Sequence, residues 1–459
     1  MKLPAADLGG TFHPVSVTQN VEASPGEPRL ALRAVVSELR ARPVLHVTEI
    51  VAALLRVCRE HATYIDLHRT EPASHRPLLA LEARLRARFE TWRRPRWPAA
   101  QLGELAGELE RASADASPPL VAWQAARWLE RRSARHLVGF FVGSDRQVAA
   151  GDPWPIVESP AHCYDVPTGN PANRGRAADR GEWLTLVPDD TAGVEVHLRW
   201  CGAWLPHLRR GLRIAVAVLA HTADDFEIDR LEPDAAPRFY NVRPRVPDYR
   251  ARIEGVIAHA TRVRADVLLL PELSLTDELH AAFVADPRVA RLPLVVAGSR
   301  HVGDTADLPG RNVTTVLAYG RRLAEHDKMS DFFFQDGAIT RHEHVRPGTS
   351  MQVLLGERAS LLVLICKDAL REDWQGLVQR LAPRLLLIPA MSRESADFTA
   401  FAERLARSPQ AITVIANIGG NCAIIGRPRR EQTVIVGDVP VGTCYEYVVG
   451  ENHSGGDVG

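Results

Sequence analysis

At 459 residues the chain exceeds what one hydrophobic core usually serves, so two folded units are expected. Its 46% apolar and 24% charged content is that of an ordinary soluble globular protein. The 56 basic and 56 acidic residues cancel, which excludes a global pull toward nucleic acid or anionic lipid.

No apolar run approaches the roughly 18 residues of a membrane helix, and the opening MKLPAADLGGTFHP lacks the apolar core of a signal peptide. A cytoplasmic protein with no membrane partner is expected. The six cysteines (Cys58, Cys163, Cys201, Cys366, Cys422, Cys444) are scattered and form no CxxC pair, so each is expected as a free thiol. Only Lys2, Lys328 and Lys367 are lysine among the basic residues; all others are arginine. A lysine kept in such a chain marks a position that needs a compact ammonium rather than a guanidinium fork.

In chain order, residues 29–39, 47–61, 78–92, 101–111 and 119–137 carry apolar residues three and four apart, with Arg and Glu opposite. They predict a helical amino-terminal domain over residues 1–150, packed by Trp92, Trp97, Trp123 and Trp128. Base stacking beside the arginines of TWRRPRW is the weaker reading, because nearby acidic residues balance the charge. No nucleic-acid partner is expected. Residues 151–205 read as a connection: a stretch rich in Pro, Gly, Asn and Asp over 151–181, then a β-hairpin over 182–200. The hairpin runs are EWLTLV and VEVHLRW around PDDTAG.

Residues 206–459 alternate short β-rich runs with helices. Strands are predicted at 212–220, 265–270, 294–297, 313–318, 361–365, 385–389 and 411–416, and helices at 248–263, 277–283, 374–381 and 398–407. Such alternation predicts an α/β layered fold with helices covering a buried sheet.

Three residues stand at or just past strand ends, where open α/β sheets place their sites. Glu272 ends LLLPE, Lys328 follows NVTTVLAYGRRLAEHD, and Cys366 ends LLVLIC. Singly, each has a bland reading: a solvated glutamate, a surface lysine, a small buried hydrophobe. A histidine pair in HEH without further spaced ligands is poor support for a metal, and Gly419 and Gly420 of NIGGN read as a turn.

Joint order and flanks change the weighing. LRIAVAVLA is followed by ADVLLLPE, then by RNVTTVLAYGRRLAEHDK with Asn312, Gly320 and Lys328. HEHVRPG supplies Glu343, Pro347 and Gly348, LLVLICKDAL supplies Cys366 and Asp368, and LLLIPAMS precedes VIANIGG with Asn417. Over residues 210–450 this series resembles the nitrilase, or carbon–nitrogen hydrolase, superfamily. The resemblance implies a nitrilase-like α-β-β-α sandwich for 206–459, preceded by the helical domain. It implies thiol-dependent hydrolysis of a small amide or nitrile through a thioester on Cys366, with Glu272 as general base and acid. Lys328 would stabilise the oxyanion together with the backbone N–H of Lys367, and Glu343 would hold Lys328 or the water. Asp368 and Asn417 would complete the oxyanion and substrate side. Neither a metal nor an organic cofactor is implied. Self-assembly into a dimer or larger homo-oligomer is, and the helical domain would regulate or recruit a protein partner.

The chain departs from the family pattern in Lys367 itself, in ALRED after Asp368, in the missing aromatic of LLLIPAMS, and in the tail GRPRREQTVIVGDV, where closing strands are not evident. Two other functions stay open: a gated effector or scaffold of a bacterial defence system, and a glutaminase-like module supplying ammonia to a partner.

Overall fold

The computed structural model describes residues 27–449 except 70, 157–183, 207–210, 232–237, 246–247, 304–307, 393–394, 408–410, 419–421, 427–433 and 437–438. Lys2, Cys163, most of the Pro- and Gly-rich stretch, and Gly419 and Gly420 therefore lie outside the described residues.

The amphipathic segments form helices Glu27–Ala41, Val47–Glu60, Pro72–Phe89, Ala99–Asp115 and Pro118–Gly139. Their apolar faces meet in one core holding Leu32, Leu54, Leu85, Leu105 and Leu129. Trp97 and Trp128 are buried against Phe89, with ring centroids at 4.9 and 6.3 Å. Trp92 and Trp123 pack at the margin, where Arg69 and Arg127 lie over the Trp123 ring at 5.8 and 5.6 Å. The tryptophans thus serve the bundle.

Two large sheets carry the rest. In spatial order the six-stranded sheet is Arg321–Asp327, Arg311–Ala318, Leu294–Val302, Val267–Leu269, Arg213–Val218 and Thr443–Val448. The eight-stranded sheet is Val434–Val436, Cys422–Ile425, Ile412–Ala416, Leu385–Pro389, Ser360–Val363, Ser350–Gly356, Glu195–Gly202 and Asp145–Val148. Alternation along the strands shows how the sheets stack. Ile214, Val216 and Val218 meet Leu361, Val363, Leu385 and Leu387 in a core between the sheets. Ala215 and Ala217 point the other way, under Ile253, Val256 and Ile257 of helix Asp248–Arg262. On the far side Leu362, Leu386 and Ile415 lie under Leu377 of helix Glu372–Leu381 and Phe401 of helix Ala396–Arg407. The order is helix, sheet, sheet, helix: an α-β-β-α sandwich.

The helical region does not stand apart from it. Its core is continuous with the helices over the eight-stranded sheet, and the Trp154 Nε1–H donates to the carbonyl of Leu381 at 2.8 Å.

Two expectations need correction. The hairpin over 182–200 does not form: Leu184–Leu186 pairs with Pro153–Pro155, while Glu195–Gly202 lies between Asp145–Val148 and Ser350–Gly356. Alternation says which face of a strand is buried and leaves its partner open. The tail does supply closing strands. Val434–Val436 extends the eight-stranded sheet, and Thr443–Val448 pairs antiparallel with Arg213–Val218. No helix among the described residues is long and apolar enough to cross a membrane.

Candidate active site

Glu272 sits in the turn after strand Val267–Leu269, whose residues are all buried. The turn is tight. The Ser274 hydroxyl donates to the carbonyl of Pro271 at 2.7 Å, the Leu273 N–H donates to Ser299 Oγ at 3.0 Å, and Leu273 has φ +53. Gly298 lets the turn lie on the neighbouring strand: its φ is +65, and a Cβ there would run into Ser274 Oγ and the Pro271 carbonyl. The turn thereby aims the Glu272 carboxyl inward, where the residue is 2% exposed.

Lys328 follows strand Arg321–Asp327, and its backbone is fixed on both sides. Its N–H donates to the Asn312 carbonyl, and its own carbonyl accepts from Gly348 N–H, each at 2.8 Å. The second contact requires glycine, since a Cβ at Gly348 would lie 2.7 Å from Asp327 Cβ. The ammonium is held between two carboxylates. Lys328 Nζ donates to Glu272 Oε1 at 2.8 Å and to Glu343 Oε2 at 2.5 Å. Asn312 Nδ2 bridges the same pair, at 3.1 Å to Glu272 and 2.8 Å to Glu343. His301 Nε2 lies 3.0 Å from Glu343 Oε1.

Cys366 opens a short 3₁₀ turn after strand Ser360–Val363. Its φ is +47, a left-handed conformation that costs a residue with a Cβ about 1 kcal/mol. There the thiol meets the Glu272 carboxyl. Four groups thus converge: the Glu272 and Glu343 carboxyls, the Lys328 ammonium and the Cys366 thiol.

The ionisation of each follows from burial and its neighbours. Burial raises the Glu272 carboxyl and the Glu343 charge adds to that, against Lys328. Burial would raise Glu343 too, but Lys328 and His301 hold it below the usual range. Burial disfavours the Lys328 charge, yet Glu272 and Glu343 keep the ammonium protonated far above its ordinary range. Burial and the Glu272 charge push the Cys366 thiol well up, opposed by Lys328 and the Met391 amide. At rest the sulfur therefore carries its proton beside an acceptor carboxylate.

The three remaining sequence candidates take different places. Lys367 Nζ donates to the Asp331 carbonyl at 2.9 Å and lies 4.6 Å from the Phe333 ring. The Asp368 carboxylate is buried and spent on the backbone of Met329 and Ser330. Asn417 ties its own side chain to Ser392 N and O, at 2.7 and 2.9 Å, and to Ile418 N. Asp368 and Asn417 thus order the loops around the site.

His342 of HEH pairs with Asp331 at 2.9 Å, and no cluster suited to a metal ion occurs among the described residues. Sequence reasoning gave no site role to Asn312, His301 or Gly298. Asn312 lies inside RNVTTVLAYGRRLAEHDK, but its bridge between two glutamates depends on strand register. His301 lies 42 residues before Glu343 with no local pattern to link them.

Comparison with models of known protein families gave no match, and comparison with curated proteins gave none. Among solved structures, 52% of the chain is similar to 87% of an amidase of the nitrilase superfamily from Nesterenkonia, at 17% identity and a TM-score of 0.34. Similarity to the NitFhit protein of C. elegans covers 52% of this chain and 60% of that one, at 15% identity and a TM-score of 0.38. For a glutamine-dependent NAD+ synthetase from Acinetobacter baumannii the figures are 51% and 45%, at 13% identity and a TM-score of 0.36. Two sheets lie face to face between helical layers, and a glutamate, a lysine and a cysteine meet beside them in the carboxyl-terminal half of the chain, the α-β-β-α arrangement expected there.

Proposed function

We propose that the chain hydrolyses a non-peptide carbon–nitrogen bond of a small amide or nitrile through a thioester on Cys366. One observation carries this reading: a buried ammonium clamped between two buried carboxylates, one of which faces a thiol. An amide is a poor electrophile with a poor leaving group, so a sulfur nucleophile helps only when a base takes its proton. Glu272 takes the proton of Cys366 as sulfur bonds to the carbonyl carbon. The Lys328 ammonium and the Lys367 N–H stabilise the oxyanion. Collapse breaks the C–N bond, and Glu272 returns the proton to the departing nitrogen. Water, deprotonated by Glu272, then attacks the thioester and restores the thiol.

A gated form of this activity is favoured by the burial of all three groups: Glu272 and Lys328 are 2% exposed and Cys366 is 5% exposed. Residues 329–333, pinned by Asp368 and Lys367, shift before substrate reaches the sulfur in that form. The test is release of ammonia or amine from a panel of small amides and nitriles. Turnover by the wild type that vanishes in Cys366→Ala supports the reading, and turnover that survives the substitution sinks it.

A further inference from the structure

The two buried glutamates share two donors and differ in the third. Lys328 Nζ and Asn312 Nδ2 each donate to both carboxyls. Glu272 has the Cys366 thiol as its additional neighbour, whereas Glu343 has the ring of His301. That ring is nearly closed off from solvent, and its Nδ1 has no partner among the described residues. Its proton therefore belongs on Nε2, where it is donated to Glu343, because a bare Nε2 lone pair would face a carboxylate oxygen.

We infer that His301 is a positioning residue that fixes the negative charge on Glu343, so that the proton moving during catalysis goes to Glu272. Without His301, one lysine and one asparagine serve both carboxyls, only somewhat closer to Glu343, and a proton entering the pair is shared more evenly between them. A proton on Glu343 is useless to the reaction, since that carboxyl does not face the sulfur, and it loosens the grip on Lys328. With His301 in place the pair is unequal, in the sense the reaction needs. The directions of the two ionisations agree with this: Glu272 is raised and Glu343 lowered.

The charged and titratable groups facing this pair are few. Lys328 approaches from the segment after strand Arg321–Asp327, Cys366 from the 3₁₀ turn, and Tyr240 from strand Arg238–Pro244. Arg311, beside Asn312, is engaged with Asp327, and Arg300, beside His301, with Asp277.

The inference rests on the hydrolase reading for one of its two readouts. The first is the pH profile of kcat/KM on an amide the wild type turns over. The second is the pH profile of Cys366 alkylation by iodoacetamide, followed by mass spectrometry, which needs thiol deprotonation but no turnover. His301→Leu removes the donor from Glu343, so protonation of Glu343 is expected to move up by about one to two pH units and to steepen the acid limb. His301→Asn, polar but too short to reach Glu343, is expected to move likewise and keeps the test alive if the leucine variant does not fold. His301→Gln, whose Nε2 reaches the place of the ring nitrogen, is expected to bring the limb back. If no amide is turned over while the alkylation profile still moves and returns in this way, the hydrolase reading fails and the role of His301 stands. Acid limbs that coincide in all four proteins overturn the role.

Discussion

Asp368 and Ser330 meet twice: the Asp368 carboxylate accepts from the Ser330 N–H at 2.9 Å and from its hydroxyl at 2.6 Å. The residue two places after the nucleophile thus grips the residue two places after the lysine, and Met329 N–H adds bonds of 3.1 Å to both oxygens. Asp368→Asn keeps the shape but substitutes an amide nitrogen for one accepting oxygen. Loss of charge-assisted bonds in a buried place should cost about 1.5–3 kcal/mol. The expected outcome is a lower urea midpoint together with a fall in kcat of about tenfold or more, as Lys328 drifts from the sulfur. Urea titration beside steady-state kinetics checks both.

Lys328→Met should do more than abolish turnover. It leaves Glu272 and Glu343 facing each other without a cation, and breaking a buried ion pair in this way costs about 3–5 kcal/mol. Part of that cost is relieved when the pair takes up a proton, so the variant should regain stability as pH falls. Lys328→Arg should restore folding better than rate, because the guanidinium fork cannot occupy the point between two carboxyls and the oxyanion. Denaturation of the three proteins across pH checks this.

The ionisations set a pH dependence with definite sign. Glu272 must be unprotonated to take the thiol proton, and its carboxyl is raised above the ordinary value of 4.5, so kcat/KM should fall on its acid side above that pH. Stability follows linkage. Cys366 is raised in the folded state, so its contribution is full below the unfolded thiol value of 9.0 and is lost as pH rises beyond it. Cys366→Ser should therefore flatten the alkaline fall in stability. Glu343 is lowered, so its contribution is present above 4.5 and disappears as pH drops toward its folded value. Equilibrium unfolding from acid to alkaline pH, wild type against Cys366→Ser and Glu343→Gln, reads each sign separately.

Gly298→Ala tests whether the turn that aims Glu272 depends on the absence of a Cβ. A left-handed alanine is strained, and its methyl meets Ser274 Oγ and the Pro271 carbonyl. Together these should cost about 2–4 kcal/mol, with activity lost beyond the loss of folded protein as the carboxyl swings away. Gly337→Ala, also at positive φ (+63) but with open space around it, is the control and should show only the conformational strain.

Much of this was legible in the chain, and the illegible parts have a common cause. ADVLLL, LLVLIC and LLLIP read as buried strands because parallel strands covered on both faces give continuous apolar runs. The residues just past them read as site residues because strand ends open onto the site. Strand Arg321–Asp327, with the sequence RRLAEHD, shows no such run, and Glu195–Gly202 reads equally well as half of a hairpin or as a strand beside Ser350–Gly356. Roles that depend on register across strands were equally hidden. His301 lies opposite Asn312, and both reach Glu343 from neighbouring strands. A partner chosen by tertiary pairing leaves no periodicity behind.

The central claim is a covalent bond between substrate carbon and Cys366 sulfur, and one measurement sees it. An amide that the protein turns over is mixed with it, the reaction is quenched in acid within the first turnovers, and the peptides are mapped by mass. The mass of the acyl group is expected on the peptide holding Cys366, and absent from Cys366→Ala and from the peptides holding Cys58, Cys163, Cys201, Cys422 and Cys444. Product formed at full rate with every cysteine unmodified, or with the acyl group on another thiol, would contradict it.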